Sequence, residues 1–239
     1  MVHQGQSGIS YPTFEREIFM NHKEYRVSLE IAGPTAMWTR PDTGDAPVSY
    51  PVPTYGAVKG IFESVLLSEW AEVVPTQVEI CKPIVYHNYS TNYGGPLRKT
   101  KNMRDGKNAS YQLLATVLVD VCYRLYAILR AVSENYEKRG KDELQRQKQG
   151  TTNGAHAYQE VFERRLKKGK LFTMPCLGWK EFVPDYVGPF RPETVVCKEI
   201  DLEIPSMLKT CFPNGKNSAY DPKYVQNVKI REGVLSYAE

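Results

Sequence analysis

The 239-residue sequence predicts an α+β fold of the split βαβ, ferredoxin-like type, in the order β-α-β-β-α-β, with a small β-sheet appendage at its C-terminal end. Three observations predict it. Residues 25–31 alternate apolar and polar. A stripe of helical period follows Thr54. A β-branched run from Leu113 to Arg130 precedes a second amphipathic stretch at 158–168. In the first strand Val27, Leu29 and Ile31 point one way and Arg26, Ser28 and Glu30 the other. This is the pattern of a half-buried strand, which the Gly33-Pro34 pair should close. After a Pro-rich loop at 38–53, Pro51 and Pro53 hold the chain extended up to Thr54, a good N-cap. Val58, Ile61, Phe62, Val65 and Leu66 then mark a helix from about Gly56 to Ala71. Val78–Tyr86 reads as the second strand, 88–111 as a long basic loop, and Leu113–Arg130 as one long strand or a bent pair. A charged, Gly-bearing loop fills 133–155. Tyr158, Val161, Phe162 and Leu166 share the face of a second helix that Gly169 stops. Leu171–Phe182 returns to extended chain, and Val195–Ile204 and Val225–Ile230 are the strand-like pieces of the appendage. The expected organisation is a leader at 1–21, a main domain at 22–185 and a β-rich region at 186–239.

The apolar share, 41%, suits a chain that buries a core. The net charge of +4 is modest, but its distribution is not even. Five basic residues lie in each of 98–107, 138–148 and 163–170. A single run of this kind reads equally as a solvated face. Three runs beside sixteen tyrosines point to a nucleic acid, with phosphates held by cations and bases stacked on rings. The candidates are Arg98, Lys99, Lys101 and Arg104 in the first loop, and Arg164, Arg165, Lys167, Lys168 and Lys170 at the second helix. The five cysteines have no metal-binding or disulfide spacing, so reduced thiols and a cytoplasmic location are expected. Residues 1–11 lack the apolar core of a secretion signal. Asp120, Arg124 and Arg130 interrupt the longest apolar run, so no membrane partner is expected.

No phosphate-binding loop, dinucleotide fingerprint, zinc motif or serine-nucleophile motif occurs, and neither a cofactor nor a metal is expected. RNA cleavage is a chemistry that fits, because the 2′-hydroxyl is a nucleophile that the substrate brings. The protein need only move protons and stabilise charge on the phosphorane. Tyr55 and Lys59 fall in the first turns of the first helix, where open amides and the helix dipole suit a phosphate. Tyr55 could equally pack beside the helix entrance. Of the histidines, His3 and His22 lie near the leader and His87 follows the second strand. His156 stands just before the second helix, as either a catalytic acid–base group or a capping loop residue.

Five segments carry a resemblance: Ala36-Met-Trp-Thr-Arg-Pro41, Ser49-Tyr-Pro-Val-Pro-Thr-Tyr-Gly-Ala-Val-Lys-Gly-Ile61, Phe162-Glu-Arg-Arg-Leu-Lys-Lys-Gly-Lys170, Pro175-Cys-Leu-Gly-Trp-Lys-Glu-Phe182 and Arg231-Glu-Gly-Val-Leu235. In this order and content the chain resembles the d-type of CRISPR-associated Cas family five, within the RAMP superfamily. The resemblance implies an RRM-like RNA-binding domain at 22–185. It also implies binding of CRISPR repeat RNA, metal-independent cleavage of the precursor, and residence on the 5′ handle beside the backbone and large subunits of a Cascade complex. Target DNA would be met only through that complex. The family's Tyr matches Tyr55. Its Lys-His pair falls, without gaps, on Ala157 and Tyr158, one residue beyond His156. The resemblance therefore leaves two outcomes: an endoribonuclease that uses Tyr55 and His156, or a subunit that caps the handle without cutting it.

Overall fold

A computed structural model describes residues 24–68, 71–94, 110–131, 154–212 and 219–237. The leader at 1–21, nearly all of the 133–155 loop, and Arg98, Lys99, Lys101 and Arg104 lie outside the described residues. The described chain is a mixed α/β fold built on a mostly antiparallel sheet. Its strands are β1 (Tyr25–Ala36), β2 (Ala71–Ile80), β3 (Tyr86–Gly94), β4 (Ser110–Ala131), β5 (Tyr186–Gly188), β6 (Leu202–Thr210), β7 (Lys223–Arg231) and β8 (Val234–Ser236). Helix α1 (Tyr55–Val65) follows β1, and helix α2 (Gly154–Lys167) follows β4. The sheet runs β5-β1-β4-β2-β8-β7-β6, and β3 pairs with β4 off that path.

The organising element is β4. Its 22 residues do two jobs. The N-terminal part, Ser110 to Leu118, pairs with β3 as a hairpin arm. The part beyond Leu118 lies between β1 and β2 and pairs with both. The alternation that predicts β1 holds for Val27, Leu29 and Ile31, all buried. Two expectations for this strand are corrected. First, Gly33-Pro34 does not end it: β1 continues to Ala36, because β5 pairs only as far as Ala32 and an unpaired edge tolerates a proline. Second, its other face is solvated at Arg26 but closed over at Glu30. Glu30 is 0% exposed.

Glu30 is covered by the segment after β5. The Arg191 guanidinium donates to its Oε1 at 2.6 Å, the Arg191 amide to Oε2 at 3.0 Å, and the Thr194 hydroxyl to Oε1 at 2.9 Å. Arg124, opposite Glu30 on β4, donates to the carbonyls of Arg191 and Thr194 at 3.1 and 2.7 Å. A buried carboxylate thus clamps an irregular segment over the sheet.

The helices cover the opposite face. Thr54 caps α1, its hydroxyl accepting from the Ala57 amide at 3.3 Å, and Val58, Ile61, Phe62 and Val65 are buried as the stripe requires. The helix ends at Val65 rather than near residue 71, where β2 already starts. Phe62 meets Phe162 of α2 with ring centres 5.7 Å apart. Gly169, at φ +61°, closes α2 in a Schellman arrangement: the Lys170 amide reaches the Arg165 carbonyl and the Gly169 amide that of Leu166. Leu171–Phe182, expected to be extended, forms turns instead of a strand. The stretch expected as an appendage joins both edges of the sheet, β5 on β1 and β8 on β2. Ile204, Met207, Val228, Ile230 and Leu235 share one core with Leu29 and Phe62.

Burial alone would raise the pKa of Glu30, but the bonds from Arg191 and Thr194 outweigh it and hold the carboxyl below the usual range. A depressed carboxyl contributes stability above its unfolded value, near pH 4.5, and loses it as pH falls through the folded value. Glu30→Ala should therefore cost about 3 kcal/mol at pH 7 by urea denaturation and much less at pH 3. An equal loss at both pH values would show that the carboxylate charge does not hold the clamp.

Candidate nucleic-acid interface

The loop before α1 is rich in proline, which cannot donate backbone hydrogen bonds but still has carbonyls that need partners. Buried phenols supply them. Tyr123 donates to the Pro51 carbonyl at 3.3 Å and Tyr237 to the Pro53 carbonyl at 2.6 Å. The Tyr50 hydroxyl accepts from the Leu208 amide on β6 at 3.2 Å. Trp38, whose Nε1 donates to Tyr123 at 3.3 Å, ties the end of β1 to the same set. These bonds fix the entrance of α1 against the β6–β8 part of the sheet.

There, Tyr55 opens α1 and borders a cleft of about 300 Å³ whose far wall includes Lys209, Gln226, Asn227, Lys229 and Tyr237. Tyr237 meets the Tyr55 ring edge-on with centres 5.8 Å apart, and the Lys209 ammonium stands 5.3 Å from the Tyr55 ring centre. An ammonium at that range is attracted by the ring face. A Cβ on Gly56 would lie 3.3 Å from the Lys209 carbonyl, so the helix entrance and β6 touch almost backbone to backbone. The first turn of α1 has no acidic residue to oppose an anion. Cations, phenols and a helix N-terminus therefore converge on one opening.

The other candidates fall elsewhere. Lys59 pairs with Glu72 of β2 at 2.7 Å. His156 lies in the first turn of α2, its ring 5.4 Å from that of Tyr25 and its Nε2 3.6 Å from Glu160. Tyr158, two residues on, donates to the carbonyl of Leu66 at the far end of α1. The eleven residues of α1, Tyr55–Val65, span about 16 Å. Tyr55 and His156 thus stand at opposite ends of α1 and do not meet. Arg165 donates to the Val65 carbonyl at 2.8 Å, where it caps α1. Arg164, Lys167, Lys168 and Lys170 are exposed. The residue missed by sequence reasoning is Lys209. It sits in a strand with no motif, and only the pairing of β6 with β7 and the approach of Gly56 bring it to Tyr55.

Fold and cleft together define a mixed α/β protein with a basic, phenol-lined opening at a helix entrance. Residues 27–231 match the family described as CRISPR-associated protein (Cas_Cas5), and the chain belongs to that family. It is 31% identical over 170 residues to the CRISPR pre-crRNA endoribonuclease Cas5d of Mannheimia succiniciproducens, covering 66% of this chain and 69% of that one. It is 30% identical to the Cas5d of Thermus thermophilus, covering 69% of this chain and 64% of that one. A crystal structure of a CRISPR-associated protein superposes with a TM-score of 0.62 at 17% identity, over 91% of this chain and 95% of that one, a likeness of fold. No helix among the described residues is long and apolar enough to cross a membrane.

Burial pushes the Tyr237 phenol well above its ordinary value, and does the same to Tyr123. Such groups stabilise the fold below the unfolded value near pH 10, and that contribution falls away at higher pH. Tyr237→Phe leaves the Pro53 carbonyl without its donor and should cost about 1–3 kcal/mol at pH 7 in urea denaturation. The variant should also lose less stability than the wild type between about pH 10 and 11.5. An unchanged midpoint at pH 7 would mean that the bond does not tie the C-terminal strand to the α1 entrance.

Proposed function

We propose that this chain binds CRISPR repeat RNA, cleaves the precursor at the α1 cleft and stays on the 5′ handle as a cytoplasmic Cascade subunit. The observation that carries the proposal is the contact of Tyr55 with Lys209 at an open helix N-terminus. Support also comes from the family and from two relatives named as pre-crRNA endoribonucleases. The strand order β5-β1-β4-β2, with helices after β1 and β4, supports a ferredoxin-like, RRM-like core from which β3 and the start of β4 extend as an arm. RRM modules stack bases on the open sheet face. In this chain Arg191 and Thr194 seal that face over Glu30, so RNA is directed to the helix rim and the cleft.

The chemistry needs no metal. The 2′-hydroxyl gives its proton to solvent water and its oxygen attacks the adjacent phosphorus. The bond to the 5′-oxygen breaks, and that oxygen takes up a proton, leaving a 2′,3′-cyclic phosphate. Tyr55 bonds to the reacting phosphate or donates to the leaving oxygen. Lys209 and Lys229 offset the charge that builds on the phosphorane. His156, at the far end of α1, cannot share that phosphate with Tyr55 in this conformation. With Arg164, Lys167, Lys168 and Lys170 it belongs to the surface that holds the flanking RNA. The same separation favours a second reading, in which the subunit caps the handle without cutting it.

Repeat RNA incubated with the protein in EDTA, beside a copy with a 2′-deoxy nucleotide at the cut site, separates the two. A single cut that the deoxy copy lacks supports cleavage, whereas tight binding without a cut supports the cap. Tyr55→Phe should slow cleavage about 10²-fold with RNA affinity little changed. Lys209→Ala should weaken RNA binding and lower the salt slope by about one. His156→Ala should leave single-turnover cleavage within about threefold. A large rate loss in His156→Ala with normal Tyr55→Phe cleavage would move the reacting phosphate to α2.

A further inference from the structure

A second cleft, of about 860 Å³, opens on the other stretch of β6, between loop 38–53, the base of the β3–β4 hairpin and residues 199–205. Val48, Pro51, Ile84, Ile200 and Leu202 are among its apolar lining, and Leu202 is 38% exposed. Glu199, Asp201 and Glu203 line it as well, and all three are exposed. Asp201 is held in place by the Glu232 amide at 2.8 Å. Arg40 is the cation on this lining. It is already matched by Asp42, through bonds of 2.7 and 3.1 Å. In a chain of net charge +4, this hollow is locally negative.

β6 divides the two clefts and sorts their charge. Lys209 faces the opening beside Tyr55, whereas Glu203, six residues earlier on the same strand, lines the acidic hollow. An RNA backbone is drawn to the first and repelled by the second. An apolar floor inside a charged rim is the anatomy of a protein–protein contact, and arginine beside a large apolar anchor is a frequent source of its binding energy.

We propose that the acidic cleft docks another protein subunit, which inserts a segment bearing lysine or arginine beside a large apolar side chain. The proposal rests on the reading of this chain as a member of an RNA-guided assembly. RNA and protein then approach on either side of β6. The RNA-holding edge stays clear while the subunit is built into the complex.

The test compares wild type with Glu199→Lys/Glu203→Lys, both full-length, for binding to each purified subunit encoded beside it and, separately, to its own repeat RNA. These side chains are exposed and outside the Tyr55 cleft, so the melting temperature should stay within about 4 °C and repeat-RNA affinity should not fall. One subunit should bind the wild type, more weakly at about 300 mM salt than at 50 mM, and at least about tenfold more weakly to the variant. Leu202→Asp, which probes the apolar floor with the acidic rim kept, should weaken the same subunit. Equal binding of every subunit to wild type and both variants overturns the proposal. So does the absence of any subunit that binds the wild type, or a loss confined to RNA. If the wild type fails to bind repeat RNA but docks a subunit through this rim, the RNA reading falls and the docking site stands.

Discussion

The geometry of the cleft depends on how two proline carbonyls are satisfied. Pro51 and Pro53 keep the chain extended so that Thr54 can cap α1, but extended chain over a core leaves carbonyls facing apolar surroundings. Tyr123 on β4 and Tyr237 after β8 provide the donors. Tyr237 therefore does two things: its hydroxyl anchors the lead-in to α1, and its ring edge flanks Tyr55. The C-terminal strands are thereby part of the site, and the position of the phenol at the α1 entrance is set by residues about 180 positions away.

Much of the architecture was legible because periodicity survives wherever one face meets the core. The β1 alternation, the α1 stripe behind Thr54, the length of β4 and the Gly169 stop are all cases of that rule. What was illegible depended on partners distant in sequence. β3 reads as a polar loop because Tyr86 to Ser90 is largely exposed, and the strand exists only by pairing with the start of β4. Glu30 reads as solvent-facing because nothing near it announces Arg191, 161 residues later. Tyr55 was legible as a candidate from its helix entrance. Lys209 was not, since a lysine in a strand carries no local signal.

The separation of Tyr55 from His156 has a physical origin in the same architecture. α2 touches α1 at its C-terminal end, where Tyr158 and Arg165 donate to the carbonyls of Leu66 and Val65 that the helix leaves unpaired. Those bonds satisfy a helix terminus, and they also hold the start of α2 away from the start of α1. His156, in the first turn of α2, is thus carried to the end of α1 opposite Tyr55.

Sealing the open face has a consequence for recognition. A bare antiparallel sheet offers rings on which bases can stack in any order. Here Glu30, Arg124, Arg191 and Thr194 form a polar network on that face, and Arg124 and Arg191 lie 4.9 and 4.3 Å from the ring centres of Phe190 and Tyr186. Those guanidinium groups are spent on the protein's own carboxylate and rings, and cannot serve phosphates. Among the described residues, exposed cations stand on α2 and at Lys180, Lys198 and Arg231, while Lys209 and Lys229 line the α1 cleft.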